Sequence, residues 1–379
     1  MKGCFENKIF LICGGAGTGK TTIMKKFYEI LKQNGFSSIF CAPTGRAAQR
    51  IKEAVGCEAK TIHRILGFKR MFMSSINKIK YESIVKTDYL IIDEFSIIDI
   101  YTMYSILSSI SENTNLIFLG DYNQLPSIQP GNILYDLFFK IKIKNIFLTK
   151  IFRQENENKI IFISNKIIQN ESLKLVDFEN ECIFLKKNTK EEGLESIKKI
   201  ARENFNNLKK IIDIQFITHM NKGIFGAQNL NKILQKIFSE GNLENKKIIK
   251  NWFIGDKVIQ LKNNYILEVF NGEIGIIING DFSFCEVEYE EKKIIYFEKN
   301  IHELALAYAI TTHKSQGSEF KKVCIPLYME HYINFNKKSL YTSITRAKEK
   351  CIILGEFKAI ICAMRKENLQ RKTYLSLNL

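Results

Sequence analysis

The chain lacks the spacings by which cysteine and histidine build frameworks. Nine cysteines are scattered through it, an odd number, and none forms a C-x-x-C pair. That excludes a disulfide scaffold and a zinc ribbon or finger. Several cysteines sit inside apolar runs, where a free thiol is a small core residue. Five histidines fall in no H-x-x-x-H or H-E-x-x-H pattern, so no structural metal is expected. No apolar run approaches the length of a membrane span. The N-terminal residues Met1–Asn7 carry no apolar signal core, so the sequence predicts a cytoplasmic protein without a membrane partner. Only four prolines occur, Pro43, Pro126, Pro130 and Pro326. Three of them follow apolar runs, in loops that also carry polar residues, which is where an α/β sheet keeps its ligand contacts.

Acids are also in deficit: 56 Lys and Arg stand against 40 Asp and Glu, a formal charge of +16. The excess favours a polyanionic partner. A coding bias toward Lys, Ile and Asn accounts for it equally well, so charge alone does not decide.

What is present begins with Ile9–Thr22, an apolar run feeding the loop Gly14, Gly15, Ala16, Gly17, Thr18, Gly19, Lys20, Thr21, Thr22. It meets the pattern G-x-x-x-x-G-K-[ST], and a helix is predicted over 21–33. Glycines let successive backbone N–H groups curl around a phosphate. The helix N-terminus adds free donors and partial positive charge. Lys20 reaches outer phosphates, and the Thr21 hydroxyl suits Mg²⁺.

Further short apolar runs follow at 38–41, 89–92, 115–119 and 145–148, alternating with helical segments. This predicts a doubly wound parallel sheet with its chemistry at the carboxyl ends of the strands. Pro43, Thr44, Arg46 and Arg50 follow the second run. The third ends in Asp93-Glu94, a costly place for two acids unless they work. Asp93 suits Mg²⁺ at a phosphate, and Glu94 suits a general base acting on water. Gln124 follows the fourth run and has the reach to sense a γ-phosphate. Arg153 follows the fifth and suits an arginine finger. Residues 67–87 are basic and interleaved with Phe68 and other aromatics, which reads as a hairpin insertion able to stack a single strand or, equally, as a solvated loop with a few packing aromatics. Thr61 and His63 precede it. Between Trp252 and Asn300 the period changes to two, which predicts a small antiparallel sheet.

The ordered set GGAGTGKTT, APTGRAA, TIHRIL, LIIDEFSIID, LGDYNQLPSI, FRQ, GDKVIQLKNNY with FNGEIG, ITTHKSQGSEF and LYTSITRAK resembles the RecD-like helicases, the 5′→3′ branch of superfamily 1. The resemblance implies two RecA-like domains, over 1–152 and over 153–251 with 301–379, and an SH3-like insertion over 252–300. It implies ATP and Mg²⁺ as cofactors, with Lys20, Thr21, Asp93, Glu94, Gln124, Arg153 and Arg346 acting on the nucleotide, Gln316 and Gly317 near it, and Thr21 and Asp93 at the metal. It implies single-stranded and tailed duplex DNA as partners, along Pro43, Thr44, Arg46, Thr61, His63, Phe68, Asn271, Thr312, His313 and Lys314, and protein partners in repair, recombination or replication.

Two departures stand out. Such families place an adenine-binding glutamine roughly twenty residues before the phosphate-loop strand, whereas eight residues precede Ile9. Base selectivity therefore stays open. The accessory domain that larger relatives carry ahead of this loop has no counterpart, which predicts a minimal motor core. RNA as the track, translocation without unwinding, and a nucleotide-gated kinase or binding module remain alternatives at this level. If the basic excess meets a single strand, affinity should fall with log salt at a slope of about −0.7 per phosphate contacted. A salt titration of oligonucleotide binding reads this directly.

Overall fold

The computed structural model describes residues 1–67, 85–150, 158–205, 208–241, 248–249, 252–264, 266–290, 292–366, 371–373 and 375. The hairpin expected over 67–87, Phe68 and Arg153 fall outside the described residues, apart from the hairpin's flanks. The chain divides into two compact units, Met1–Glu157 with Leu369–Leu379, and Asn158–Asn368. The last residues thus group with the first unit, whereas the sequence reading carries the second domain through 379.

Unit 1 is a parallel sheet with helices on both faces. Its strands are β1 (Ile9–Gly14), β2 (Ser38–Ala42), β3 (Ala59–Thr61), β4 (Tyr89–Ile92), β5 (Asn115–Gly120) and β6 (Asn145–Leu148), in the order β3-β2-β4-β5-β1-β6. The connecting helices are α1 (Lys2–Glu6), α2 (Lys20–Gln33), α3 (Gly45–Val55), α4 (Ile62–Ile65), α5 (Ile100–Ser109) and α6 (Ile133–Tyr135). Alternate strand residues serve opposite faces. Phe10 and Ile12 pack with Met24, Phe27 and Ile51 on one side, while Leu11 and Cys13 pack with Phe95, Met103 and Ile106 on the other. The register fixes the site: Cys13 lies beside Gly120 of β5, and Cys41 beside Ile92 of β4. The loops after β1, β4 and β5 therefore leave one edge of the sheet together.

Unit 2 holds a second parallel sheet and a small antiparallel one. The parallel sheet runs β14-β8-β15-β16-β7, with β7 (Cys182–Lys186), β8 (Ile214–Thr218), β14 (Ala309–Thr311), β15 (Phe320–Leu327) and β16 (Ala347–Gly355). Its helices are α7 (Lys159–Gln169), α8 (Lys190–Asn204), α9 (Leu208–Asp213), α10 (Ala227–Gly241), α11 (Lys337–Ile344) and α12 (Phe357–Arg365). The antiparallel sheet runs β12-β11-β10-β9-β13, with β9 (Lys257–Gln260), β10 (Ile274–Gly280), β11 (Phe284–Glu288), β12 (Lys293–Phe297) and β13 (Leu304–Leu306). It encloses its own core around Trp252, Val258, Ile277, Val287 and Tyr296.

Two buried charges pin that small sheet to its host. Asp256 accepts from Tyr308 Oη at 2.8 Å, Gln235 Nε2 at 2.6 Å and the Phe253 N–H at 2.8 Å. Lys257 donates to the carbonyls of Ile211 and Ile214 at 3.2 and 3.0 Å. A buried charge persists only where its hydrogen bonds are met. Asp256 is nevertheless pushed up to about 6 by burial, with these three donors opposing.

Tyr328 lies flat on Phe225, ring centroids 4.3 Å apart, and its hydroxyl sits over Gly193 of α8. A Cβ at Gly193 would come within 1.9 Å of that oxygen. Gly193→Ala is expected to lower stability by about 1–3 kcal/mol through overpacking, read as a lower Tm or urea midpoint.

Candidate functional site

The loop after β1 is shaped around its own lysine. Lys20 Nζ donates to the carbonyls of Gly14 at 2.7 Å and Gly15 at 2.9 Å. The Thr18 hydroxyl donates to Gly15 O at 2.9 Å. Gly17 and Gly19 take φ of 76° and 83°, the left-handed region that side chains avoid. Gly19 then caps α2, so Lys20, Thr21 and Thr22 form its first turn. The result is a ring of backbone donors at a helix N-terminus, with an ammonium folded over it. That combination suits a phosphate chain.

Asp93 and Glu94 stand at the end of β4, adjacent to β5 in the sheet. Burial and then the charge of Glu94 push Asp93 up to about 6. Arg50, on α3, reaches Glu94 Oε1 at 3.4 Å. Glu94 itself takes φ 51°, ψ 38°. A non-glycine residue is held there only by its surroundings, at a cost of order 1–2 kcal/mol. The strained turn aims the carboxylate away from the strand line and toward Arg50. The Thr21 hydroxyl and the Asp93 carboxylate are oxygen donors of the kind Mg²⁺ takes, an ion that uses few protein ligands and keeps the rest of its shell for phosphate and water. Among the described residues no cluster of three or more His, Cys, Asp or Glu could hold a metal by itself.

Gln124 follows β5. Its side chain is 7% exposed, and its Oε1 is buried without a hydrogen-bond partner among the described residues. A buried carbonyl oxygen left this way is poised for a donor that arrives with a ligand. Asp121 shapes the turn before it, its Oδ1 accepting from the Asn123 N–H at 3.0 Å.

The residues read as DNA contacts divide into two groups. The Thr44 and Thr61 hydroxyls cap α3 and α4, accepting from the N–H groups of Ala47 and Arg64 at 3.3 Å each. Pro43 and Arg46 are half-buried beside Thr44. His63 is held below its ordinary pKa by burial, with Asp99 opposing. In unit 2, His313 and Lys314 are exposed, whereas Thr312 is 2% exposed. The Thr312 hydroxyl lies 3.2 Å from Ser343 Oγ, which lies 3.3 Å from His219 Nε2. Its position therefore suits holding the loop rather than touching a strand. Asn271 is exposed in the turn before Gly272, its N–H donating to Asn263 Oδ1 at 2.9 Å.

Gln316 is buried, and Gly317 turns the chain at φ 72°. Arg346 is 3% exposed; its Nε donates to Thr342 O and its Nη1 to Ser318 O, both at 3.2 Å. The guanidinium is thus held inside unit 2 by carbonyls from α11 and the loop ahead of β15. Sequence reasoning missed the Thr312–Ser343–His219 chain and the pairing of Arg50 with Glu94. The only signal for the second was an arginine one turn into α3.

Comparison with known proteins bears on this geometry. Family models match three stretches: an AAA domain over residues 1–130, the SH3 domain of ATP-dependent RecD-like DNA helicases over 230–296, and the C-terminal domain of UvrD-like helicases over 306–354. The chain is similar to the ATP-dependent RecD2 DNA helicase of Deinococcus radiodurans, at 29% identity over 371 residues, covering 97% of this chain and 50% of that one. It is similar to the RecBCD enzyme subunit RecD of Buchnera aphidicola, at 31% identity, covering 94% of this chain and 71% of that one. The chain therefore spans half the length of the first relative and about seven-tenths of the second. In fold it is similar to Pif1 helicase from Bacteroides solved with ADP-AlF3 and single-stranded DNA, with a TM-score of 0.58 at 20% identity over 100% of this chain and 94% of that one. No helix among the described residues is long and apolar enough to cross a membrane.

The raised Asp93 gives a pH test. A carboxyl whose folded pKa exceeds its unfolded value stabilises below the unfolded value near 4, and that contribution is lost as pH rises through about 6. Asp93→Asn is therefore expected to raise the Tm of the nucleotide-free protein at pH 8. The gain should shrink toward pH 4, as read by thermal melts across that range.

Proposed function

The chain belongs to the RecD family of helicases, and from that membership we propose that it is an ATP-driven motor that moves 5′→3′ on single-stranded DNA and unwinds tailed duplexes. The observation that carries the proposal is the convergence at one sheet edge of the Lys20 loop, the Asp93–Glu94 pair and the buried Gln124. These are the parts that ATP hydrolysis needs: a cradle, a base and a sensor of the outer phosphate.

In this reading Lys20 leaves the Gly14 and Gly15 carbonyls for the outer phosphates when ATP enters. The backbone donors of the loop take the inner phosphate oxygens. Glu94, oriented by Arg50, accepts a proton from the attacking water. Gln124 offers its Oε1 to that water and its amide N–H to the γ-phosphate. Thr21 and Asp93 would hold Mg²⁺, which would supply charge neutralisation at the phosphate oxygens. His313, Lys314 and the residues around Thr44 meet the strand, with positive charge on phosphates supplying affinity that is blind to sequence. Protein partners in repair or recombination belong to the same proposal, since one relative is a subunit of a larger enzyme.

The test is ATP turnover with and without single strands, followed by unwinding of 5′- and 3′-tailed duplexes. Stimulation by single strands and unwinding of the 5′-tailed duplex alone are expected. Lys20→Ala should abolish turnover while leaving oligonucleotide affinity within about twofold. Turnover that ignores nucleic acid would overturn the proposal.

A further inference from the structure

The loop that carries Gln124 is gripped from behind by the far end of the chain. Arg371 Nη1 donates to Gln129 O at 2.7 Å and Gly131 O at 2.8 Å, and lies 3.5 Å from Ser127 Oγ. Its Nη2 donates to Ser127 O at 2.6 Å. One guanidinium thus gathers three carbonyls from a five-residue stretch, a use of its planar fork that lysine cannot copy. The neighbouring Pro130 carbonyl is taken by the Ile100 N–H at 3.0 Å, and the Ser127 hydroxyl donates to Gln129 O at 2.9 Å.

The grip continues along the strap at every second residue. The Thr373 hydroxyl donates to the buried Asp136 Oδ1 at 2.7 Å and accepts from Lys140 Nζ at 2.7 Å. Leu375 packs against the core that holds Ile133 and Leu134. Between Gln124 and Ser127 lie only Leu125, 4% exposed, and Pro126, whose ring fixes φ. The clamped half of the loop is therefore joined to Gln124 by a short, stiff link, buried at Leu125 and half-buried at Pro126.

We propose that Arg371 is a positioning residue for ATP hydrolysis: by fixing the carbonyls of Ser127, Gln129 and Gly131 it sets where Gln124 points. The inference rests on the reading of Gln124 as the outer-phosphate sensor. The phosphate loop binds ATP without help from Arg371, so its loss should act on turnover and spare binding.

The experiment measures kcat and KM for ATP, with saturating oligothymidylate, in the full chain. Arg371→Ala is expected to lower kcat by roughly tenfold, with KM within about twofold. Guanidinium ion at low millimolar concentration should restore much of the loss. Thr373→Val removes a strap contact that does not touch the carbonyls, and should lower Tm while leaving kcat unchanged. In a Gln124→Ala background, Arg371→Ala should cost nothing further, because both changes disable one device. Full turnover in Arg371→Ala beside a slow Gln124→Ala would overturn the inference, and so would equal kcat losses in Arg371→Ala and Thr373→Val. Full turnover in Gln124→Ala would overturn instead the reading on which it rests.

Discussion

An ammonium held by two carbonyls of its own loop is the interaction on which the first unit turns. Lys20 on Gly14 and Gly15 keeps the backbone donors facing one point, and it does so only because β1 delivers the loop between β5 and β6. Parallel pairing then makes the neighbours inevitable. With Cys13 beside Gly120 and Cys41 beside Ile92, the acids after β4 and the glutamine after β5 must emerge at the same edge. Register alone thus brings the three loops to one edge. Buried acids that repel each other, a glutamate in left-handed backbone and an amide oxygen without a partner among the described residues gather at that edge, where strain of this kind marks a place built to meet a ligand.

The second unit obeys a different rule. Its small antiparallel sheet hangs from the host by the Asp256 and Lys257 contacts rather than by a broad apolar seam alone. Ionic anchors of this kind tolerate no slippage, since a shift of one residue strands two charges in the core. The motif GDKVIQ, one of the stretches that ties this chain to its family, is therefore explained first by attachment. The Thr312–Ser343–His219 chain plays a similar part, coupling the loop of His313 and Lys314 to α11, at whose end Arg346 stands. His219 is held down at about 3 by burial and then by His331, so this link is neutral at any physiological pH.

Much of this was legible in the sequence because period and punctuation suffice for strands that are buried on both faces. All five apolar runs in the first half became strands within a residue, the one at 145–148 as β6 although that strand is largely exposed. β3 escaped notice since three residues carry no period. β7 escaped since it lies in a Lys- and Asn-rich stretch and is half-buried along most of its length. The phosphate loop and the acid pair were readable because their chemistry is local. Thr44 and Thr61 were read as ligand contacts, yet their spacing to Ala47 and Arg64 is equally that of helix caps, which is how the structure uses their hydroxyls. The burial of Thr312 and Arg346 is tertiary and leaves no trace in one dimension. Arg371, in the tail that follows α12, belongs to no motif.

That tail has a consequence for how the molecule comes into being. The contact between Arg371 and Ser127 spans 244 positions. A ribosome delivers the loop of Gln124 long before it delivers the arginine, with the whole of the second unit in between. At about 5–20 residues per second, the nascent first unit waits on the order of ten seconds or more for its last piece. During that interval it can form its sheet and phosphate loop, but the loop of Gln124 lacks its clamp. Assembly therefore matures last at the loop of Gln124, which stays without its clamp until the chain is nearly complete through Arg371.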